Sequence, residues 1–358
     1  MMRGAEFVGV PGVAGVFSPA DCRQTAESIA SVQLRSGEIP WSAGGHTDPW
    51  DHVECAMALT VAGLLDEARA AYEWSRTQQR RDGSWAIQYR RGVVEDANSD
   101  SNFCAYIATG VWHHLVVTGD RDFAERMWPT VRGAIDFVLG LQAGTGEIYW
   151  AQGPNGTLPE ALLTSCASVY HSIRCALALA DVVDEPQPEW EVALGRLGHA
   201  ITDHPDAFTA KPRYSMDWYY PILGGAVRGP SAHGRLADRW DDFVVDGLGI
   251  RCVDDRPWVT GAETCELVLA LDAIGDMDRA HEQFAAMQHL RETDGSYWTG
   301  LVFADGKRWP VERTTWTGAA VILAADALSR TTPGSGIFRD AELPRGLEGD
   351  YDCACVSR

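Results

Sequence analysis

The sequence is 358 residues long, with 46% hydrophobic residues and a formal net charge of −20. This length and composition allow a large buried core and exclude a wholly disordered chain. The strong negative charge argues against nucleic acid or an anionic membrane surface as a partner. Because the amino-terminal stretch lacks a signal-peptide core and no run of eighteen apolar residues occurs, we expect no membrane span.

Two kinds of helix alternate along the chain. One kind is charged and amphipathic, and is expected to face water on one side. Its segments are 19–33, 66–79, 120–142, 188–203 and 277–292. The other kind is apolar all round, and is expected to be buried on both sides. Its segments are 53–65, 102–117, 167–180, 263–275 and 317–328.

Strict alternation of outer and inner helices predicts an all-α fold, an (α/α)6 toroid wound from six outer–inner hairpins. The predicted catalytic domain covers 19–330, between an N-terminal extension over 1–18 and a mostly unstructured C-terminal tail over 331–358. The fourth and fifth hairpins carry the weakest signals. Strand signals are limited to short pieces inside the loops.

The connections between helices come in two sizes. Inner-to-outer links are short, whereas outer-to-inner links are long and rich in Gly and Trp. Long loops in a compact domain are usually functional. All six long loops are expected to open at the same end of the toroid, around its central hole.

Each long loop brings an acidic residue to the start of the inner helix that follows it. These acids are Asp48 with Asp51, Asp100, Glu160, Asp217, Glu263 and Glu312. Nine of the fourteen tryptophans lie in the same loops or in the helix starts they feed. Carboxylates accept hydrogen bonds from hydroxyl groups and indole rings stack on the apolar faces of sugars, so this pattern predicts a carbohydrate ligand.

A set of twelve residues around this hole is expected to bind sugar hydroxyls and sugar faces. They are Trp41, His46, Trp50, Asp100, Glu160, Asp217, Trp218, Tyr219, Trp258, Trp298, Glu312 and Trp316.

Every one of the acids also has a helix-capping explanation. Asp48 precedes a proline at the first helical position, Asp100 precedes a serine, and Thr260 with Glu263 matches a capping box. A capping requirement would be met as readily by serine or threonine, and it does not explain the tryptophans beside so many of the acids. We therefore expect at least two of the acids to take part in chemistry.

No pattern in the sequence indicates a metal centre or a cofactor. The HExxH pattern, a Walker loop, a dinucleotide fingerprint and a GxSxG elbow are all absent from it. The nine cysteines form no even framework, and most fall in apolar helical runs, which predicts free thiols in a reducing cytoplasm. Cys353 and Cys355, in the C-terminal tail, offer two ligands at most.

Two resemblances meet at the long loops. The segment "QQRRDGSW" (78–85) fits the Gln-x3-Gly-x-Trp repeat of squalene cyclases and prenyltransferase-like proteins, with looser copies at 33–41 and 288–298. The segment 100–142 resembles six-hairpin glycosidases of the glucoamylase type. A protonating terpene cyclase needs an Asp-x-Asp-Asp acid, which this chain lacks, and we find no Asp/Cys/His zinc set of a protein prenyltransferase.

Over roughly 30 to 330 the sequence is identified as a member of an actinobacterial family labelled prenyltransferase-like. The match is carried by 214–229, 255–276 and 309–328. Within that family it resembles the mycobacterial endo-α-mannosidases that hydrolyse 3-O-methylmannose polysaccharides. The resemblance implies a cytosolic enzyme without a cofactor that cuts α-(1→4)-linked, partly methylated mannose chains.

The first hypothesis is glycoside hydrolysis by two carboxylates on opposite sides of the scissile bond. Resemblance to six-hairpin glycosidases implies inversion of the anomeric centre. Glu263 is expected to be one partner, because Trp258 and apolar neighbours would raise its pKa. Asp48 or Asp51 is expected to be the other, since hairpins one and five lie two steps apart around a closed ring.

Three alternatives stay open. Glucoamylase topology implies a different catalytic pair, Glu160 from the third hairpin and Glu312 from the sixth. A terpenoid enzyme would need a deep, mostly apolar cavity, whereas these loops bring many acids to the mouth. A non-catalytic glycan-binding protein would use the same ring of residues without a competent acid–base pair.

Overall fold

The computed structural model describes residues 9–339 and 343–346, and within them the chain is mainly helical with small antiparallel sheets. The outer helices are α1 (Pro19–Val32), α3 (Leu65–Gln78), α5 (Arg121–Leu139), α7 (Pro188–Asp203), α9 (Gly229–Phe243) and α11 (Met277–Ala286). The inner helices are α2 (Pro49–Ala62), α4 (Ser101–Thr118), α6 (Leu163–Val183), α8 (Ser215–Leu223), α10 (Gly261–Ala273) and α12 (Thr315–Ser329).

The six inner helices form a closed series of contacts. Each packs against the next inner helix along the chain, and α12 packs against α2. All fourteen residues of α2 are buried, as expected for a helix that is apolar all round. The outer helices bury one face only, so the predicted alternation of outer and inner helices is confirmed, including the weakly signalled fourth and fifth hairpins.

Short strands brace the long outer-to-inner connections. They are β1 (Gln88–Arg90), β2 (Val93–Asp96), β3 (Ser99–Asp100), β4 (Ala151–Gly153), β5 (Gly156–Leu158), β6 (Val244–Val245), β7 (Gly249–Arg251), β8 (Trp258–Thr260), β9 (Gly300–Val302) and β10 (Lys307–Arg308). Strands β6 to β10 form one antiparallel sheet in the order β10-β9-β8-β7-β6. Because β8 runs directly into α10, this sheet fixes the start of that helix.

Glutamines at the ends of outer helices tie neighbouring hairpins together. The Gln79 side-chain amide donates to the carbonyl of Gly83 at 2.9 Å and to the carbonyl of Thr130, in the next outer helix, at 2.8 Å. Gln33 and Gln142 repeat the arrangement, each with a carbonyl four residues later and a carbonyl of the following outer helix. The Gln-x3-Gly part of the cyclase-like repeat is therefore a structural clamp.

The glycine of this clamp leaves no room for a side chain, so Gly83→Ala should destabilise the fold. Gly83 has a φ of +90°, and a Cβ there would lie 2.0 Å from the Gly133 carbonyl oxygen. Backbone strain together with this clash should lower the free energy of unfolding by about 2–4 kcal/mol. Gly92→Ala is the control, since Gly92 has a φ of +75° with open space around it. Equal melting temperatures for the two variants would contradict the clamp.

The expectation of an unstructured segment after residue 330 is wrong for its described part. Phe338 and Leu343 are each only 7% exposed. Arg174 donates to the Leu343 carbonyl at 3.1 Å, and Arg339 binds Asp272 at 2.7 Å. The segment therefore closes the carboxyl ends of the inner helices. The packing of this segment was not predicted because its isolated apolar residues lie among Gly and Pro and show no periodicity.

The N-terminal extension also contributes to the core, because Val13 and Phe17 are buried. Cys353 and Cys355 lie outside the described residues. One described helix, α6, is long and apolar enough to cross a membrane, but 78% of its apolar window is buried inside the protein. Its composition fits its place in the ring between α4 and α8.

Candidate active site

The amino ends of the inner helices lie at one end of the ring, because the long connections that lead into neighbouring inner helices are hydrogen-bonded to one another. We call this end the mouth. Asp48 and Asp100 cap α2 and α4 there, accepting hydrogen bonds from the backbone N–H groups of Asp51 at 2.9 Å and Phe103 at 3.1 Å. The capping explanation is confirmed for these two acids, and capping gives their carboxyl groups a rigid mount.

Glu263 is different, since the capping box predicted for it does not form. Thr260 is the N-cap residue of α10, but its side chain makes no capping hydrogen bond. Glu263 is 6% exposed. Burial raises its pKa, and the neighbouring Thr260 and Cys252 side chains offset only part of this effect. A buried carboxyl group with a raised pKa suits a general acid.

Two buried carboxyl groups that the sequence reasoning missed lie one helical turn deeper. Glu54 and Glu266 are each 2% exposed, in α2 and α10. The Tyr219 and Tyr220 hydroxyls both donate to the Glu266 carboxylate, Tyr220 at 2.7 Å. A usable signal was present, since each of these acids follows a predicted acid by three residues inside a helix that is otherwise apolar.

The carboxyl groups of α2 and α10 act on one another across the mouth. Burial, then the charges of Asp48, Glu54 and Glu266, raise the pKa of Asp51 well above its usual range. Burial raises the pKa of Glu54 to about 8, with Trp316 opposing the shift and Asp48 adding to it. The pKa of Glu266 is also raised, by burial and by the Glu54 charge. Such a cluster retains protons at neutral pH.

Two other predicted acids are also perturbed. Burial raises the pKa of Asp100 to about 7, against hydrogen bonds from the Phe103 and Asn102 backbones. Burial likewise raises the pKa of Asp217, whose carboxylate accepts a hydrogen bond from the Thr164 hydroxyl at 2.7 Å. Asp100 caps α4 but interacts with the carboxyl groups of α2, because the Asp48 charge adds to the rise in the pKa of Asp100.

Aromatic side chains from the first and sixth hairpins gather beside these acids. Trp41 stacks on His46, with ring centroids 5.6 Å apart, and lies 5.6 Å from Trp316. Trp50 lies 6.1 Å from Trp316. The Trp41 indole N–H donates to Glu312 at 2.9 Å. The structure thus brings together five of the residues predicted to bind sugar, and it also places Tyr219 beside the deeper carboxyl groups.

Other predicted sugar-binding residues are placed differently. Trp218 is part of the packing between α8 and α9, with its indole N–H bonded to the Arg235 carbonyl at 2.8 Å. The direction of a tryptophan on an all-apolar helix is not evident from its position in the sequence. Trp298 donates to Glu292 at 2.6 Å, and Glu160 is exposed after the β4–β5 hairpin.

Replacing Glu54 with glutamine should flatten the pH dependence of stability. Because folding raises the pKa of Glu54 from 4.5 to about 8, its stabilising contribution is fully present below the lower value and is lost as the pH rises through the upper one. The wild-type melting temperature should therefore fall more than that of Glu54→Gln between about pH 5 and pH 9. Exposed Glu160→Gln should follow the wild type. If the melting temperatures of all three proteins change equally with pH, the raised pKa of Glu54 is contradicted.

Within the described residues, no group of three or more His, Cys, Asp or Glu side chains is arranged to hold a metal ion. The arrangement offers buried carboxyl groups that hold protons, next to ionisable ones and to aromatic faces. These are the groups needed for acid–base chemistry on a hydroxyl-rich substrate.

The chain matches no family model. It is 75% identical over 348 residues to the MMP endo-(1,4)-3-O-methyl-alpha-D-mannosidase of Mycolicibacterium hassiacum, and the match covers 97% of each chain. The chain belongs to this endo-mannosidase family. As a member of it, the protein is a glycoside hydrolase, as the resemblance implied.

Solved structures share the fold at much lower identity. A glycosidase in complex with glucose has a TM-score of 0.71 at 14% identity, covering 89% of this chain and 96% of that chain. A D-mannose isomerase has a TM-score of 0.65 at 10% identity, covering 86% and 96%. Since the second protein carries another activity, the fold by itself does not select the reaction, and family membership does.

Proposed function

We propose that the protein hydrolyses α-(1→4) linkages inside 3-O-methylmannose polysaccharide chains. The observation that carries this proposal is the 75% identity to the Mycolicibacterium hassiacum enzyme over nearly the whole of both chains. The mouth supports it, because carboxylates accept hydroxyl hydrogen bonds and indoles pack against sugar faces and methyl groups. The closed contacts of the inner helices support an (α/α)6 toroid as the scaffold.

The proposed mechanism is inverting, with Glu263 as general acid and Asp48 as general base. Burial raises the pKa of Glu263, which favours the protonated form that delivers a proton to the leaving glycosidic oxygen. The raised pKa of Asp51 keeps that neighbour protonated, and Asp48 takes the proton from water. Inversion needs carboxyl groups about 6.5–9.5 Å apart. Helices α2 and α10 both flank α12, which suits such a gap.

Glu160 and Glu312 are the second assignment of the catalytic pair. Burial is what raises a carboxyl pKa into the range of a general acid. Glu263 is buried, whereas Glu160 is exposed. Glu312 is engaged by the Trp41 indole at 2.9 Å. These contrasts favour the pair on α2 and α10.

Mass spectrometry of products after incubation with 3-O-methylmannose polysaccharide tests the function. We expect shorter chains that differ by whole sugars and arise from internal cleavage. Tight binding without shortening would favour a glycan-binding protein instead. Proton NMR of the first product tests the stereochemistry, since inversion of an α linkage yields the β anomer before mutarotation.

A cytoplasmic location is also proposed. Within the described residues Cys22, Cys55, Cys104, Cys166, Cys252 and Cys265 are free thiols, which fits a reducing compartment. Detection of the native protein in the soluble cytoplasmic fraction supports this location, and its recovery from culture medium would overturn it.

A further inference from the structure

Exposed large apolar side chains are concentrated at the mouth. Among the described residues eight such side chains are exposed, and six lie in the outer-to-inner connections. The largest is Trp309, which is 53% exposed and precedes α12. Val311, two residues later, is 82% exposed. Isolated exposed apolar residues are ordinary, but an indole beside a second apolar residue at the rim of a cleft indicates a contact surface.

Trp309 rests on a rigid support. Its ring centroid lies 4.9 Å from that of Trp258, with the ring planes at 81°. The Trp258 indole N–H donates to the Trp309 carbonyl at 2.7 Å. Trp258 is in turn fixed against Gly300 of β9, where an added Cβ would lie 2.5 Å from the indole nitrogen. The exposed ring is therefore held by the sheet and does not depend on a free loop.

This support is continuous with the proposed active site. Strand β8 runs into α10, so Trp258 precedes Glu263 by five residues. On the other side, Glu312 follows Trp309 by three residues and accepts the Trp41 indole N–H at 2.9 Å. Trp309 is therefore connected to the mouth through Glu312 on one side and through Trp258 and β8 on the other.

We propose that Trp309 is a stacking subsite for one sugar unit of the polysaccharide, beyond the linkage that is cut. This inference rests on the proposed function. The C–H face of a hexose, enlarged by methyl ethers, offers the apolar surface that an indole needs. An enzyme that cuts inside a chain has sugar units on both sides of the cleaved bond. Contacts with remote units add binding energy only for substrates long enough to reach them.

Trp309→Ala tests the subsite on two substrates, the full polysaccharide and the shortest oligosaccharide that the wild-type protein cleaves. We expect kcat/KM to fall about tenfold for the polysaccharide, mainly through KM, with no change for the short substrate. Trp309→Phe should restore most of the loss. Val192→Ala, on outer helix α7 and 39% exposed in the parent, controls for loss of an exposed apolar side chain. Equal losses on both substrates, or none on the polysaccharide, would overturn the subsite.

A binding measurement separates this inference from the proposed function. Calorimetry compares uncleaved polysaccharide binding to Glu263→Gln with its binding to the same variant carrying Trp309→Ala. About tenfold weaker binding by the double variant supports the subsite, and equal binding overturns it. Failure of the wild-type protein to cleave the polysaccharide overturns the function, while this binding comparison still decides the subsite. Absence of polysaccharide binding by both variants overturns the function and the subsite together.

Discussion

Replacing Glu263 with glutamine should lower kcat by about 10²- to 10⁴-fold, the range of a lost general acid. Glutamine has nearly the same size and cannot give a proton to the glycosidic oxygen. Because Glu263 is buried and its pKa is raised, a neutral side chain should be accommodated without loss of stability. Steady-state hydrolysis of the polysaccharide measures the loss, and thermal unfolding checks that the fold is kept.

The pH profile adds a second readout for the same residue. A general acid is active while protonated, so the rate should decline as the pH rises through the raised pKa of Glu263. That decline should be absent from the residual activity of Glu263→Gln. Glu160→Gln serves as control and should keep near-normal hydrolysis. Near-normal rates in Glu263→Gln, with loss in Glu160→Gln, would transfer the role to the glucoamylase-type pair.

Asp48→Asn should be about as damaging to kcat, by about 10²- to 10⁴-fold, because asparagine cannot accept a proton from water. Asparagine caps a helix about as well as aspartate, so the hydrogen bond to the Asp51 backbone should persist and the melting temperature should change little. This separates the chemical role of Asp48 from its capping role. Loss of activity only in parallel with loss of stability would assign the residue to capping alone.

Asp51→Asn gives the matched comparison, since Asp51 is proposed to stay protonated during the reaction. An amide imitates a protonated carboxyl group, so the loss in kcat should be smaller than for Asp48→Asn. A larger loss in Asp51→Asn than in Asp48→Asn would exchange the two roles.

The fold could be predicted because its signal is local. Helix α2 is apolar all round and α5 has one apolar face, and either pattern follows from short-range periodicity. The start of α2 was visible from its capping pattern, since Asp48 precedes a proline at the first helical position although Pro49, Trp50 and Asp51 break the apolar pattern. The burial of Phe338 and Leu343 depends on long-range contacts, which a periodic pattern in the sequence does not indicate.

The site was predicted in outline for the same reason. Acids at helix starts are visible as a repeat, and the structure brings the group on α2 together with the group on α10. The spacing of three residues from Asp51 and Glu263 could have identified the deeper acids Glu54 and Glu266. The packing of Trp218 between α8 and α9 leaves no such trace in the sequence. Whether Thr260 caps its helix also depended on the surrounding sheet.

The central claim is that carboxyl groups of α2 and α10 flank the scissile bond. The most direct test is a crystal structure of Glu263→Gln with an uncleaved methylmannose oligosaccharide. We expect the glycosidic oxygen within hydrogen-bonding distance of the side chain at position 263, and Asp48 on the opposite face of the sugar with a water molecule against the anomeric carbon. A glycosidic oxygen held between Glu160 and Glu312, with position 263 away from the sugar, would contradict the claim.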